Sequence, residues 1–391
     1  MLKSFFSARY LFLIQSCLLL ALFGVFFSPS QSLASYPTYL LAIFAVFSFA
    51  DWRFVIDDRI TILFVMLLGY FLFSASWADE TTIRTAGSAL VRVTIVFSFV
   101  IAVSVLYREK PDNSMFSNVI LWTGFLSAIL AIFFYGEISA DEIRPGRRMI
   151  GLGFLENPVF SGLLYSLSFL CAVEKIARAR AWKKRILFLF PVLVLGYAIY
   201  LCGSVNSFLC LFLSAVVLLG LKKNRLLLVI SVFGAATLLL IGVIYFYSPS
   251  WETVGSLLPR EDSYRFGIWK TVITNIDGWA LLFGSGMGTD DNVYYDNQMF
   301  LHPHSLYLSI IFETGLLGLL LYGLVFFQVA KALWSAKARE AALILSVLFF
   351  GSVSFVFDSH VLVDKIDHKW ILLWYPLGVS LGVLGNYKMG R

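Results

Sequence analysis

The sequence predicts an all-α, polytopic integral membrane protein with about twelve transmembrane helices. Of its 391 residues, 59% are hydrophobic and 14% are charged, and the mean hydropathy is +0.83. A soluble globular chain is closer to half apolar and one quarter charged. The apolar residues form blocks of about 17–22 residues, enough for a helix to cross about 30 Å of hydrocarbon. The blocks lack an alternating pattern, which favours helices over a closed barrel.

The predicted spans follow one another closely, with one long interruption before the tenth. They cover residues 10–27, 37–50, 60–76, 88–106, 116–135, 159–173, 187–203, 207–221, 226–247, 305–326, 340–357 and 371–386. The first has no plausible cleavage site and many spans follow it, so we expect a retained helix rather than a signal peptide.

The distribution of Lys and Arg predicts the orientation. Basic residues concentrate in alternate connections, most densely from Glu174 to Arg185. Because cytoplasmic loops carry the excess of positive charge, we expect both termini in the cytoplasm. The net charge of +6 then reflects topology and anionic headgroups, so membrane lipids are expected partners and nucleic acid is not.

This topology divides the chain into three parts. Residues 1–247 hold the first nine helices, residues 248–304 form a large periplasmic loop domain, and residues 305–391 hold the last three helices. A loop of this length in a compact protein is usually functional. A second extracytoplasmic segment, residues 136–158, precedes the sixth span.

Two local patterns stand out in the large loop. Residues 263–276 predict an amphipathic helix, whose apolar side carries Tyr264, Ile268, Trp269 and Val272. A tight turn is indicated by Gly284, Gly286 and Gly288.

The histidines are the first candidates for chemistry. His302, His304, His360 and His368 all fall on the outer face, and histidine is the side chain best suited to moving protons near neutral pH. His304 directly precedes the tenth span, and Pro303 favours a helix start close to it. A helix N-terminus disfavours imidazolium and so keeps a neutral, basic imidazole available. The alternative is an interfacial histidine that only hydrogen-bonds to headgroups.

Arginines are the second group of candidates. They are Arg265 on the predicted loop helix, Arg144, Arg147 and Arg148 on the first outer segment, and Arg92 inside the fourth span, with Arg84 two turns earlier. A guanidinium grips phosphate oxygens in bidentate fashion and stays charged. Arg92 could instead snorkel to the interface, and the arginine pair at 147–148 could contact the lipid surface. With a proton acceptor nearby, these arginines favour a lipid-pyrophosphate substrate.

The acidic residues suggest less. The pairs Asp290–Asp291 and Asp141–Glu142 have no convincing ligand spacing, so we expect solvated loops and neither a metal nor a cofactor. Glu313 lies within the tenth span and needs a partner there. We interpret it as a structural polar contact.

Several segments resemble the O-antigen ligase and polymerase superfamily. The stretch LHPHSLYLSIIFETGLLGLLLYG, residues 301–323, resembles the superfamily signature of a histidine at the base of a span followed by Ser or Asn, a Leu, a Glu-x-Gly and a Gly-Leu. The further similar segments are YRFGIWKTVITNI (264–276), LLFGSGMGT (281–289), RRMIGLGFLENPVFSG (147–162) and DKIDHKWILLWYP (364–376).

This resemblance implies a metal-independent, inverting glycosyltransferase of GT-C-like architecture in the bacterial inner membrane. Such enzymes take polysaccharide from undecaprenyl pyrophosphate and attach it to lipid A–core in the periplasm. By position, His304 would be the base that activates the acceptor hydroxyl, and Arg265 would bind the pyrophosphate. His302 and Tyr307 would assist substrate binding.

One position departs from the superfamily pattern. The turn between the seventh and eighth spans reads CGSVNSF, with Val205 where the superfamily often has an arginine. A second arginine must then come from elsewhere, and the substitutes are Arg147, Arg148 and Arg92, in that order.

The alternatives share the membrane setting. An O-antigen polymerase would use the same donor with another lipid-linked glycan as acceptor, and a third type of member transfers glycans to pilin or other proteins. The similarities at residues 147–162 and 364–376 favour a ligase. A transporter of lipid-linked oligosaccharide predicts functional charges throughout the spans, whereas here they crowd at the outer face. A non-catalytic scaffold does not account for the combined motif.

Overall fold

The computed structural model describes residues 2–47, 59–78, 83–111, 113–137, 148–221, 265–276, 278–336 and 340–388. These ranges are mostly helical, which confirms the predicted all-α class. The helices are α1 (Leu2–Phe27), α2 (Gln31–Phe47), α3 (Arg59–Ser74), α4 (Ile83–Glu109), α5 (Met115–Glu137), α6 (Pro158–Arg178), α7 (Trp182–Cys202), α8 (Val205–Leu221), α9 (Arg265–Asn275), α10 (Gly278–Phe283), α11 (Leu306–Ser335), α12 (Ala341–Phe357) and α13 (Tyr375–Lys388). A 3₁₀ turn, Ala75–Trp77, follows α3, a π-helical turn, Trp370–Trp374, precedes α13, and strands β1 (Val293–Tyr295) and β2 (Gln298–Phe300) form a hairpin.

The apolar helices match the predicted spans. Within the described ranges, seven helices are long and apolar enough to cross a membrane, and three shorter apolar helices accompany them. Every predicted span coincides with a helix except the ninth, residues 226–247, which lies outside the described residues. The helix α11 extends further than the tenth predicted span and ends at Ser335.

The chain forms two compact units that interleave along the sequence. The first comprises Met1–Gly24, Gln31–Asn113 and Tyr264–Arg391, and the second comprises Val25–Ser30 and Ser114–Ser263. The division expected from topology, with breaks at residues 247 and 304, stays a prediction.

Small residues bring the helices of the second unit together. The helix α6 packs against α5, α7 and α8. A Cβ added at Gly162 would lie 2.6 Å from the Ser207 hydroxyl oxygen, and one at Gly124 would lie 2.0 Å from that of Ser168. Close backbone approach at small residues is how helices associate in lipid, where no hydrophobic effect drives them together.

The first unit contains a buried polar cluster between α4, α12 and α13. The Tyr107 hydroxyl donates to Glu340 Oε2 at 3.1 Å and lies 3.2 Å from the Tyr375 hydroxyl. Glu340 is 1% exposed, so the Tyr107 contact offsets part of the cost of burying a carboxylate.

The helix α11 is interrupted within its apolar stretch. Gly315 has φ 65° and ψ −169°, a conformation that only glycine adopts readily. A Cβ at this position would lie 2.3 Å from the carbonyl of Leu282. The break therefore depends on glycine for both its dihedral angles and its packing.

The loop before β1 donates hydrogen bonds to backbone carbonyls next to this break in α11. The Ser285 and Gly286 N–H groups donate to the carbonyls of Phe312 and Glu313 at 2.7 and 2.9 Å. The Tyr70 hydroxyl donates to the Thr314 carbonyl at 3.0 Å. Backbone at membrane depth requires such partners, so the loop and the broken helix form one interlocked structure, which we call the Gly284–Gly315 interlock.

Candidate active site

The predicted amphipathic loop helix is α9. Its buried residues, Ile268 and Val272, form a small core with Val293 of β1, as the apolar pattern predicts. Trp269 is partly buried against this core, and Tyr264 lies outside the described residues.

The hairpin directs the chain toward the histidine motif. Its turn residues, Asp296 and Asn297, have φ of 50° and 57°, the left-handed conformation that tight hairpin turns require. Gly267 of α9 makes room for this hairpin, because a Cβ there would lie 2.1 Å from the ring of Tyr295. The strand β2 ends at Phe300, two residues before His302.

Three of the four histidines form one cluster. The ring centroids of His302 and His304 are 4.1 Å apart. The ring of His360 stacks on that of His302, with centroids 4.3 Å apart and planes 6° from parallel. The structure thus brings His360 to the motif from the segment between α12 and the π-helical turn.

The backbone fixes the relation between the two motif histidines. The His304 N–H donates to His302 Nδ1 at 3.2 Å, so Nδ1 of His302 acts as an acceptor and carries no proton. His304 has φ 55°, an unusual conformation for a residue with a side chain. Ser305 is the N-cap of α11, which places the helix start close to His304, as Pro303 predicts.

Burial favours the neutral form of two of the clustered imidazoles, those of His302 and His360. Burial, followed by the neighbouring His304, His360 and Lys369, lowers the pKa of His302 to about 3. The pKa of His360 is lowered first by burial and then by Lys369. Both rings are therefore uncharged at neutral pH.

The fourth histidine, His368, has a more enclosed position. It is 5% exposed, its ring lies 5.9 Å from that of Phe355, and burial lowers its pKa. The adjacent Lys369 is 2% exposed and pairs with Asp367. A buried cation thus lies close to the histidine cluster, although the sequence drew attention only to arginines.

Arg265 begins α9 and is partly buried. It lies one turn before Trp269, so the two side chains share a face of the helix. The Trp269 indole N–H donates to the Pro303 carbonyl at 3.1 Å. This bond ties the arginine-bearing helix to the histidine motif.

Arg92 lies at the meeting point of two cavities. Its guanidinium pairs with Asp364 at 3.0 Å, and the two side chains are 37% and 22% exposed. A cavity of about 330 Å³ lies between α2, α4 and residues 364–370, and one of about 190 Å³ lies beside α11; both include Ser88 and Arg92 in their walls. Arg92 therefore contributes to the walls of both cavities while it is paired with Asp364.

The arginine pair at residues 147–148 belongs to the second unit. Arg147 lies outside the described residues. Arg148 donates from Nε to the Cys202 carbonyl at 2.7 Å, and a Cβ at Gly203 would lie 3.6 Å from Arg148 Nε. Arg148 therefore packs on the turn that leads to Val205, which is 81% exposed.

Tyr307 makes a contact inside the first unit. Its hydroxyl donates to the Ser352 carbonyl of α12 at 2.9 Å. This bond joins α11 to α12 next to the histidine motif, and a role of Tyr307 in substrate binding stays a prediction.

The acidic pair at residues 290–291 stabilises its own loop. Asp290 accepts from the backbone N–H and the side-chain amide of Asn292 at 3.1 and 2.8 Å. Burial raises the pKa of Asp291 to about 6. Within the described ranges, no group of three His, Cys, Asp or Glu is placed to hold a metal ion; Asp141 and Glu142 lie outside those ranges.

The fold and the site define a polytopic membrane protein whose candidate site lies where the loop from α9 to β2 meets the start of α11. Residues 190–323 match the family model described as O-antigen ligase. An O-antigen ligase from Pseudomonas aeruginosa is 24% identical over 330 residues, which cover 81% of this chain and 76% of that protein. Both similarities support the predicted resemblance to the O-antigen ligase superfamily and the predicted class of glycosyltransferase-type enzyme. The matched region includes Arg265, His302 and His304.

Proposed function

We propose that this chain is an O-antigen ligase of the bacterial inner membrane. It transfers polysaccharide from undecaprenyl pyrophosphate to lipid A–core at the periplasmic face. The similarity to the O-antigen ligase family model supports O-antigen ligation or polymerisation in general, and the similarity to the Pseudomonas relative favours ligation. The observation that carries the proposal is the histidine cluster at the start of α11, tied to the arginine-bearing helix α9 by Trp269.

The proposed base is His304. It accepts a proton from the acceptor hydroxyl while the hydroxyl oxygen bonds to the anomeric carbon of the donor sugar. The bond from that carbon to the pyrophosphate oxygen breaks with inversion, and undecaprenyl pyrophosphate leaves. His302 is a poorer base, because its Nδ1 already accepts from the His304 N–H and a pKa of about 3 gives it little affinity for a proton at neutral pH.

Arginines stabilise the charge on the leaving pyrophosphate in this proposal. Arg265 is the first, because its helix is tied to the histidine motif. Arg92 belongs to the same compact unit and faces two cavities. Arg148 is held at the turn before Val205, where the superfamily resemblance expects a further arginine.

Deletion of the gene tests the reaction. We expect lipopolysaccharide that ends at the core on silver-stained gels, with accumulation of lipid-linked polymer, and restoration by the wild-type gene. A core that bears a single repeat unit would identify a polymerase instead. An unchanged polymer ladder contradicts both activities.

Substitution of His304 tests the base. We expect His304→Asn to reduce transfer by a factor of about 10²–10⁴, the usual contribution of a general base, at normal membrane levels on immunoblots. Asn is preferable to Ala because it tolerates the left-handed backbone at this position. His302→Ala should retain more activity, and the opposite ranking contradicts the assignment.

A further inference from the structure

The cavity of about 190 Å³ beside α11 is lined by a buried carboxylate and mostly small residues. Its wall consists of Ala75, Ala86, Ser88, Ala89, Arg92, Met287, Gly288, Glu313 and Val361. The Ala, Ser and Gly residues leave the space open. Glu313 and Arg92 are the charged residues in this wall, and they give the cavity its chemical character.

Glu313 is buried without full hydrogen bonding. It is 4% exposed, and among the described residues its Oε2 has no hydrogen-bond partner. The Gly288 backbone N–H interacts with the carboxylate and leaves Oε2 unsatisfied. Burial of such an atom in a membrane span is costly, so a purely structural role explains Glu313 poorly.

Contacts with the glycine-rich loop fix the backbone of Glu313. Its carbonyl accepts from the Gly286 N–H at 2.9 Å. A Cβ at Gly284 would lie 2.3 Å from the Glu313 carbonyl carbon, so the loop presses directly on this stretch of α11. The Gly284–Gly315 interlock therefore fixes the backbone from which Glu313 contributes to the cavity wall.

The other charged groups around the cavity define what it can accept. Arg92 is already engaged by Asp364, and Asp291 and Asp364 are the further charges that act on Glu313. The carboxylate Oε2 therefore suits a neutral hydrogen-bond donor, such as a hydroxyl or amide N–H. Arg92 at the rim suits a phosphate joined to that group.

The cavity also adjoins the candidate active site along the chain. Val361, which contributes to its wall, follows His360 directly. The ring of His360 stacks on His302 at 4.3 Å. A group bound in the cavity thus lies beside the segment that completes the histidine cluster.

We propose that this cavity binds the sugar unit attached to the pyrophosphate of the lipid-linked donor, and that the Glu313 carboxylate accepts a hydrogen bond from a hydroxyl or amide N–H of that sugar. The inference rests on the proposed function and adds a substrate subsite to it. Glu313 is a positioning and specificity residue here, and the proton of the reaction goes to His304.

The experiment compares two lipids on the purified full chain in nanodiscs. One is undecaprenyl pyrophosphate that carries the glycan, and the other is undecaprenyl pyrophosphate without sugar. We expect Glu313→Gln to weaken binding of the glycan-bearing lipid by about tenfold, with unchanged binding of the sugar-free lipid. In transfer assays the variant should raise KM for the donor more than it lowers kcat.

A second variant keeps the carboxylate and fills the space. Ala89→Leu should produce the same selective loss, because Ala89 is 7% exposed and lies in the cavity wall. Glu340→Gln is the matched control, since it alters a buried carboxylate in a different polar cluster. It should leave the ratio of the two affinities at the wild-type value.

The outcomes separate the two proposals. If the wild-type protein neither binds nor transfers the donor, the proposed function fails, and the sugar subsite fails with it. If the wild type is active but Glu313→Gln and Ala89→Leu leave the ratio of the two affinities unchanged, only the subsite is overturned. Equal weakening of both lipids also overturns it, because this shows a role that does not involve the sugar.

Discussion

The imidazole of His302 couples the candidate site to pH. Its pKa is about 3 in the folded protein, against an ordinary value of 6.5. Above pH 6.5 both folded and unfolded states are neutral, and the stability that depends on this group is fully present. Below pH 6.5 the unfolded chain binds a proton that the folded state excludes, so stability falls as pH decreases toward 3.

The loss has an upper limit of about 1.4 kcal/mol per pH unit, which solvent screening of this partly buried ring reduces. We expect the melting temperature in detergent, followed by tryptophan fluorescence, to drop between pH 7 and pH 5. The drop should be smaller in His302→Asn, whose amide oxygen can still accept from the His304 N–H. Equal slopes in both proteins contradict this account.

The exposed Val205 allows a rescue experiment. We expect Arg148→Ala to lower transfer by about 10-fold or more, the effect of losing a hydrogen bond to a charged group. Val205→Arg in that background should restore part of the activity, because Arg148 packs on the turn that leads to position 205. Transfer is measured with donor and acceptor lipids in proteoliposomes.

Val205→Arg alone is the control and should remain close to wild type, since residue 205 is 81% exposed. Full activity of Arg148→Ala contradicts the assignment of Arg148 to the pyrophosphate. If Val205→Arg does not restore activity at normal protein levels, an arginine at position 205 cannot replace the guanidinium of Arg148, and this explanation is wrong.

At the residue scale, the sequence was informative where chemistry and backbone are local. His302 and His304 are two residues apart in the chain, and Pro303 between them predicts that a helix starts close by. The stacking of His360 on His302 and the pairing of Arg92 with Asp364 depend on tertiary packing between segments far apart in sequence. No spacing in the sequence indicates either contact.

At the scale of elements, the break in α11 determines where Glu313 lies. The apolar pattern predicts one continuous span, and Gly315 and Gly318 suggest helix packing. The structure shows a different use of Gly315, because its positive φ releases backbone groups that loop residues then bind. Hydrophobicity does not reveal such a break, since apolar residues continue before Glu313 and after Gly315.

Gly315→Ala tests this element. We expect a loss of several kcal/mol, since the new Cβ would lie 2.3 Å from the Leu282 carbonyl and the backbone conformation is strained for alanine. Low membrane levels and a lowered melting temperature on fluorescence-detected size exclusion would show it.

Gly323→Ala is a matched control in the same helix. A Cβ there meets nothing within 4 Å, so alanine should be neutral or stabilise by about 0.5–1 kcal/mol. Similar behaviour of the two variants contradicts the importance of the break.

At the scale of the whole molecule, composition predicted most of the architecture. Lipid requires each spanning segment to bond its own backbone, so apolar length alone identifies helices. The assignment to two compact units was not predictable in this way, because it depends on which helices pack together. The end of α11 at Ser335 also differs from the predicted end of the tenth span at residue 326, because an apolar helix can extend past the hydrocarbon.

Fusions test the predicted orientation. We expect green fluorescent protein at the C-terminus to fluoresce, because this end is predicted to lie in the cytoplasm. Alkaline phosphatase fused after Thr289 should be active, because that position belongs to the predicted periplasmic loop. Activity of a C-terminal alkaline phosphatase fusion, together with an inactive fusion after Thr289, reverses the topology and removes the proposed site from the periplasm.

The Gly284–Gly315 interlock also restricts how this sequence can diverge. A side chain at residue 284 would meet the backbone of Glu313, and one at residue 315 would meet the backbone of Leu282. Neither position can gain a side chain while the two backbones remain in contact. A descendant that replaces either glycine must separate the loop from α11, and the cavity beside Glu313 would change its shape in the same event. A substitution at either glycine would therefore change the backbone packing and, through the shape of the cavity, the substrate preference at the same time.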